Sequence, residues 1–314
     1  MAMTPHLEPA GTSGTLIAGA PAIAPAGGQA GKSRSMLRRG WEVFAENKMA
    51  LAGLGFVVFI ILFSFVGPLI YKTQQTSVSL SDAYCTPGAR HLLGCDNLGY
   101  DTIGRLMVGG QNSIEVGLAA AAAACLFGSV YGAVSGFLGG VIDSFLMRIV
   151  DALLSIPIIF VLIILSVFVH PNAGLLIVFI AIGYWPGPAR LVRGETLTLR
   201  TREYVQAVRV VGGRNSRAVL RHVMPNAMGT IIVLATFAVA DSILTLSSLG
   251  FLGFGIELPS TDWGTMLSNG LTFVNDGYWW LIYPAGIIII VTVVAFNFIG
   301  DALRDAFETR LQRR

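Results

Sequence analysis

Six separate stretches of mainly apolar residues, each near 20 residues long, recur along the chain and leave it few ways to fold. Their approximate ranges are 49–70, 113–137, 145–169, 175–191, 228–249 and 279–299. At a helical rise of about 1.5 Å per residue, 20 residues span the roughly 30 Å hydrocarbon core of a bilayer. No water is available there to satisfy backbone N–H and C=O groups, so such a run must close its hydrogen bonds internally, as a helix. The expectation is an all-α polytopic membrane protein with six transmembrane helices. Composition agrees, because only 12% of the 314 residues are charged, against roughly 25% in soluble domains.

Charge placement orients the bundle. Arg38, Arg39 and Lys48 precede the first run, seven arginines lie between Arg193 and Arg221, and Arg304, Arg310, Arg313 and Arg314 end the chain. The intervening loops on the other side hold only Lys72, Arg90 and Arg105. By the positive-inside rule both termini are cytoplasmic, in a plasma (inner) membrane, and the segment 71–110 is extracytoplasmic. Residues 1–35 are rich in Ala, Gly, Pro and Ser and read as a disordered cytoplasmic tail without a signal peptide. Residues 36–48 set Trp41 and Phe44 among charges, the pattern of an interfacial elbow helix, and 49–314 form the transmembrane domain. The net charge of +3 is explained by topology and does not call for a nucleic-acid partner.

Few residues offer chemistry. AGGQAGKS at 26–33 ends like a phosphate-binding loop, but it lacks the preceding strand and following helix that such a loop needs. No nucleophile, base and oxyanion set is visible, so the chain reads as non-catalytic. Three cysteines without a CxxC pair, and His91, His170 and His222 scattered along the chain, point to no metal and no cofactor. Cys85 and Cys95 share the extracytoplasmic segment, where a disulfide is permitted and two free thiols are the alternative. Cys125 reads as a packing residue. Asp241 sits within the fifth run, either lining a translocation cavity, where it would attract a peptide ammonium group, or bonding a neighbouring helix. Arg148 and Asp151 are spaced to pair on one helical face.

Two patterns are mechanical. Ala120, Ala124, Gly128, Gly132, Gly136 and Gly140 place a small residue at every fourth position, a ridge that lets another backbone approach. The basic segment 192–226 has Val205, Val208 and Val211, with Val210, at helical spacing, then Gly212 and Gly213, then a second helical stretch before Pro225. A short helix, a turn and a second helix would form a knob that a soluble partner can grip.

This segment resembles the coupling motif of ABC importer permeases, a Glu-Ala-Ala pattern followed by Gly and Leu-Pro. It falls on Gln206, Ala207, Val208, Gly212, His222, Met224 and Pro225, with departures at Gln206, Val208, His222 and Met224. HLLGCDNLGYD from His91 resembles the entry to the second span in the C-type subunit of peptide and nickel permeases, with Cys95 and Tyr100 in place of the usual Thr and Arg. LSSLGFLGFG from Leu246, DWGTML from Asp262 and FNFIGDALRDAF from Phe296 resemble later segments of the same subfamily, so the likeness spans about residues 40–312.

The resemblance implies a type I ABC importer permease fold and a subunit for short peptides, dipeptides or oligopeptides. It implies as partners a homologous second permease, two ABC ATPase subunits that hydrolyse ATP, and an extracytoplasmic binding protein. Within that arrangement Glu203, Tyr204, Ala207, Arg209, Gly212 and Arg214 are the expected ATPase-coupling contacts. Nickel, glutathione or another small solute is the alternative cargo. An ion-coupled secondary transporter is a further alternative, against which the helix-forming basic loop argues.

Overall fold

The computed structural model describes residues 44–311 apart from 74, 170, 171 and 213, and every regular element among them is helical. The tail, the AGGQAGKS segment and most of the elbow lie outside the described residues, as does His170. The principal helices are α1 Lys48–Phe65, α2 Thr102–Leu138, α3 Gly140–Leu154, α4 Ile158–Phe168, α5 Ala173–Tyr184, α6 Pro186–Leu199, α7 Glu203–Val210, α8 Asn215–Ala218, α9 Met224–Phe251, α10 Trp263–Leu271 and α11 Tyr283–Leu311. A π-helical turn, Val219–Val223, joins α8 to α9.

Four helical stretches are long and apolar enough to cross a membrane, Lys48–Phe65, Thr102–Leu138, Asn215–Phe251 and Trp279–Phe307. The third and fourth apolar runs, expected as unbroken spans, are instead bent pairs. The angle is 75° between α3 and α4 and 44° between α5 and α6, and the total is six if each pair is one crossing. Proline accounts for both breaks. Pro157 lacks an N–H and biases Ile156 away from helical geometry, while Pro186 opens α6 where its missing N–H is not needed.

α2 is the axis of the bundle. Its 37 residues extend about 55 Å, so it projects well beyond the hydrocarbon. Asp101 sets its start, Oδ1 accepting the Gly104 N–H at 2.8 Å. Residues 102–110, expected as loop, are therefore the first turns of this helix. The small-residue ridge lies against α6. A methyl group at Gly128 would sit 2.4 Å from the Trp185 carbonyl oxygen, and one at Gly132 would sit 2.1 Å from that of Ala189. Gly140 has open space and is not part of this contact, because the chain turns at Gly139.

The main core joins α1, α2, α9, α10 and α11 through Ile60, Leu106, Ile243, Trp263 and Ile289. A second cluster seats α4 and α5 on α2 and α9 through Leu162, Leu176, Ile180, Val116 and Leu246. Outside these cores, Phe59, Leu126, Phe145, Phe160 and Phe168 are widely exposed. Such a surface is an aggregation hazard in water and is matched by hydrocarbon. Asn47 caps α1 by accepting N–H bonds from Met49 and Ala50, and Phe44 packs with Ala50 and Ala302 near the end of α11.

Candidate coupling site and transmembrane pathway

α7 is short and two-sided. Val205 is fully buried and Val208 packs beside it, against Phe137 of α2, Val192 of α6 and Val219 and Val223 of the π-helical turn. Val210 and Val211, placed by sequence spacing with the same apolar set, point away and are 87% and 88% exposed. The reason is local: α7 ends at Val210, so the next valine leaves the helical register, and Gly212 then turns the chain with φ +81°. That left-handed conformation is costly for a residue with a Cβ.

The expected contact residues divide. Ala207 is exposed along α7, and Arg214 is exposed immediately before α8. Glu203 and Tyr204, though exposed, line a recess of about 650 Å³ with Glu195, Arg202, Asn226 and Phe307, so they face the space between α6, α7, α9 and α11. Arg209 belongs to α7, and its side chain lies outside the described part. Sequence reasoning missed Val210 and Val211 as surface groups, because helical spacing alone does not say which face is covered.

Below α7, Asp143 at the start of α3 accepts two hydrogen bonds from Arg193 of α6, from Nε at 2.6 Å and Nη2 at 2.7 Å. Ser135 Oγ of α2 donates to the same carboxylate at 2.6 Å, and Arg200 Nη1 donates to the Gly136 carbonyl at 2.8 Å. Three helices are thus cross-linked beside the knob. Asp151, expected to pair with Arg148, is bonded instead by Arg190 of α6, which packs across from α3.

Asp241 is exposed on α9, and its carboxylate has no hydrogen-bond or ion-pair partner among the described residues. One turn along, Thr245 Oγ1 and Tyr184 Oη are hydrogen-bonded at 2.6 Å. The reading of Asp241 as a bonded strut to another helix therefore finds no partner among the described residues.

The profile of a family described as binding-protein-dependent transport system inner membrane component matches residues 128–313, well over half of the chain. The chain belongs to this family. A second profile, the N-terminal TM domain of oligopeptide transport permease C, matches residues 35–87 of the permease. The dipeptide transport system permease protein DppC of Bacillus subtilis (strain 168) is 37% identical over 281 residues, 90% of this permease and 88% of that protein. The oligopeptide transport system permease proteins OppC of Bacillus subtilis and Escherichia coli (strain K12) are each 38% identical, over 90% and 89% of this permease and 92% and 93% of theirs.

At the end of the permease opposite α7, residues 75–101 fold as a cap. Arg105 of α2 is buried and donates to the carbonyls of Pro259 at 2.6 Å and Ser260 at 3.2 Å, with its guanidinium 4.5 Å over the Tyr100 ring. Asp262 caps α10 and also accepts the Ile256 N–H, which braces the loop between α9 and α10 against the start of α10. Burial raises the Asp96 carboxyl above the usual carboxylate range, and N–H bonds from Tyr100 and Leu98 act in the opposite direction.

In this cap Cys85 and Cys95 are joined by a disulfide with a Cα–Cα distance of 4.9 Å. His91, which looked isolated in the sequence, lies beside them: one donor atom from each of the three residues falls within 4.8 Å of the others. Turns at Tyr84 (φ 56°) and Gly94 (φ 66°) bring the trio together, and a ten-residue separation does not announce such a turn.

Proposed function

We propose that this permease forms half of the transmembrane pathway of an importer for short peptides, beside a homologous second permease and above two ABC ATPase subunits. An extracytoplasmic receptor delivers the peptide, and ATP hydrolysis belongs to the partner subunits. The observation that carries this reading is the tip of α7, where Val210 and the following Val211 stand almost fully exposed at the end of a helix anchored beneath by Val205. An apolar tip flanked by Ala207 and Arg214 is suited to a groove in a soluble partner. The relatives bear dipeptide and oligopeptide transport names, which supports peptides as cargo.

On this reading α7 and both termini lie in the cytoplasm, which the arginine-rich segments support. That Phe44 and Ala302 pack together, and that Gly229 of α9 meets Phe307, supports both ends lying on the α7 side. Asp241 faces the aqueous pathway, because a carboxylate without a partner is costly against lipid. Its charge there attracts the ammonium group of an entering peptide. When nucleotide draws the ATPases together, α7 moves with them, and the Asp143–Arg193 bond passes that motion to α3 and α6 as one body.

Co-purification tests the proposal. Tagged permease is expected to bring down a second permease and two ATPases, and ATP turnover of the reconstituted complex is expected to rise with peptide-loaded receptor. A permease that purifies without ATPases, or transports on a proton gradient without ATP, would overturn it.

A further inference from the structure

We propose that the Cys85–His91–Cys95 trio is a redox-gated site for a divalent transition metal of borderline softness, best fitted to zinc. Two thiolates and an imidazole are a zinc donor set, and sulfur ligands disfavour magnesium or calcium. With all three donor atoms within 4.8 Å, one ion at about 2.0–2.3 Å from each nitrogen or sulfur is reached by side-chain adjustment.

The shell behind the donors is already built. His91 Nδ1 is held by Asp101 Oδ2 at 2.8 Å, which leaves the other ring nitrogen outside that bond. Asp101 is fully buried, and it is itself fixed by the Gly104 N–H at 2.8 Å and the Tyr71 hydroxyl at 3.0 Å. A carboxylate that orients a histidine ring is the arrangement that sharpens metal ligation, and losing such support typically costs about 10–100-fold in affinity.

The backbone keeps the sulfur atoms together without the covalent bond. Cys95 N–H donates to the Cys85 carbonyl at 2.9 Å, Gly94 N–H to the His91 carbonyl at 3.0 Å, and Tyr84 N–H to the Asp96 carbonyl at 2.9 Å. From outside the loop, Trp280 Nε1 donates to the Cys95 carbonyl at 3.2 Å. Opening the disulfide therefore leaves both thiols beside His91.

The chemistry balances with a dithiol as reductant. The dithiol gives two electrons and two protons to the S–S bond and becomes a cyclic disulfide, and Cys85 and Cys95 become thiols. The metal ion then displaces the two thiol protons and is held by two thiolates and the imidazole, with water at the fourth position. The covalent link of the cap is exchanged for a coordinate one.

Cobalt(II) titration of the purified full-length permease tests this without reference to transport. Oxidised protein is expected to show no thiolate-to-cobalt charge-transfer band. Anaerobically reduced protein is expected to develop the band at one ion per chain and to lose it on addition of zinc. His91→Gln is expected to weaken binding at least about tenfold, in line with loss of a supported ligand, while leaving the oxidised protein unchanged. A parallel measurement on wild-type protein follows maleimide labelling of Cys85 and Cys95, which zinc is expected to suppress. No band after reduction, His91→Gln binding as tightly as wild type, or labelling unaffected by zinc would each overturn the site.

Discussion

Arg193 and Asp143, fifty residues apart, meet in a two-pronged hydrogen-bonded ion pair at 2.6 and 2.7 Å that ties α6 to the start of α3. The carboxylate is nearly buried and the guanidinium about two-thirds covered. Such a pair lies between exposed ones worth a few tenths of a kcal/mol and buried ones whose breakage costs about 3–5 kcal/mol. Asp143→Ala should lower the stability of the detergent-solubilised permease by about 1–3 kcal/mol, read as a lower unfolding midpoint. Exchanging the two residues should restore part of the loss, and a midpoint insensitive to both variants would remove this pair from the coupling route.

The knob separates an inner from an outer set of valines. Val210→Asp is expected to leave expression and membrane insertion intact and to reduce ATPase co-purification at least tenfold. Val205→Asp should instead lower the yield of folded permease, since that side chain is wholly buried. At Gly212, Asn should keep more activity than Val, because Asn tolerates positive φ and a β-branched residue does not. Equal ATPase recovery from Val210→Asp and wild type would place the partner contact elsewhere.

Helix packing gives a sharper contrast. Gly132→Leu puts a side chain into the Ala189 carbonyl and should abolish or strongly destabilise the folded permease, whereas Gly187→Ala meets nothing within 4 Å and should be tolerated. Thermal unfolding of the two purified variants checks this. Similar midpoints would show that α2 and α6 separate more readily than their contact suggests.

Asp241 carries the substrate prediction. In proteoliposomes with the complete importer, Asp241→Asn should raise the transport KM for peptides with a free amino terminus several-fold. It should have little effect on N-acetylated peptides or on basal ATP turnover. Unchanged KM for both classes would leave the carboxylate without a role in cargo binding.

The spans were legible because their cause is local: an apolar run of fixed length and flanking arginines act through the bilayer, whatever the fold. The ridge on α2 was legible too, through its four-residue period, although its last member, Gly140, proved to lie past the turn. The third and fourth runs read as unbroken although Pro157 and Pro186 stand in them, and the 75° and 44° bends depend on the neighbours each half packs against. The knob could be located from Gly212 and the surrounding valines. Which valines faced outward required knowing that Phe137, Val192 and Val223 cover one side.

By itself, then, the sequence determined an all-helical membrane chain, the length and order of its apolar runs, and the stretch that forms α7, since these rest on hydrophobicity and periodicity within short windows. Tertiary structure alone decided that Arg190 rather than Arg148 holds Asp151, that Arg193 reaches Asp143, and that His91 sits beside Cys85 and Cys95. Each of those outcomes depends on distances between segments that the chain brings together only after turning, and no local pattern encodes such a distance.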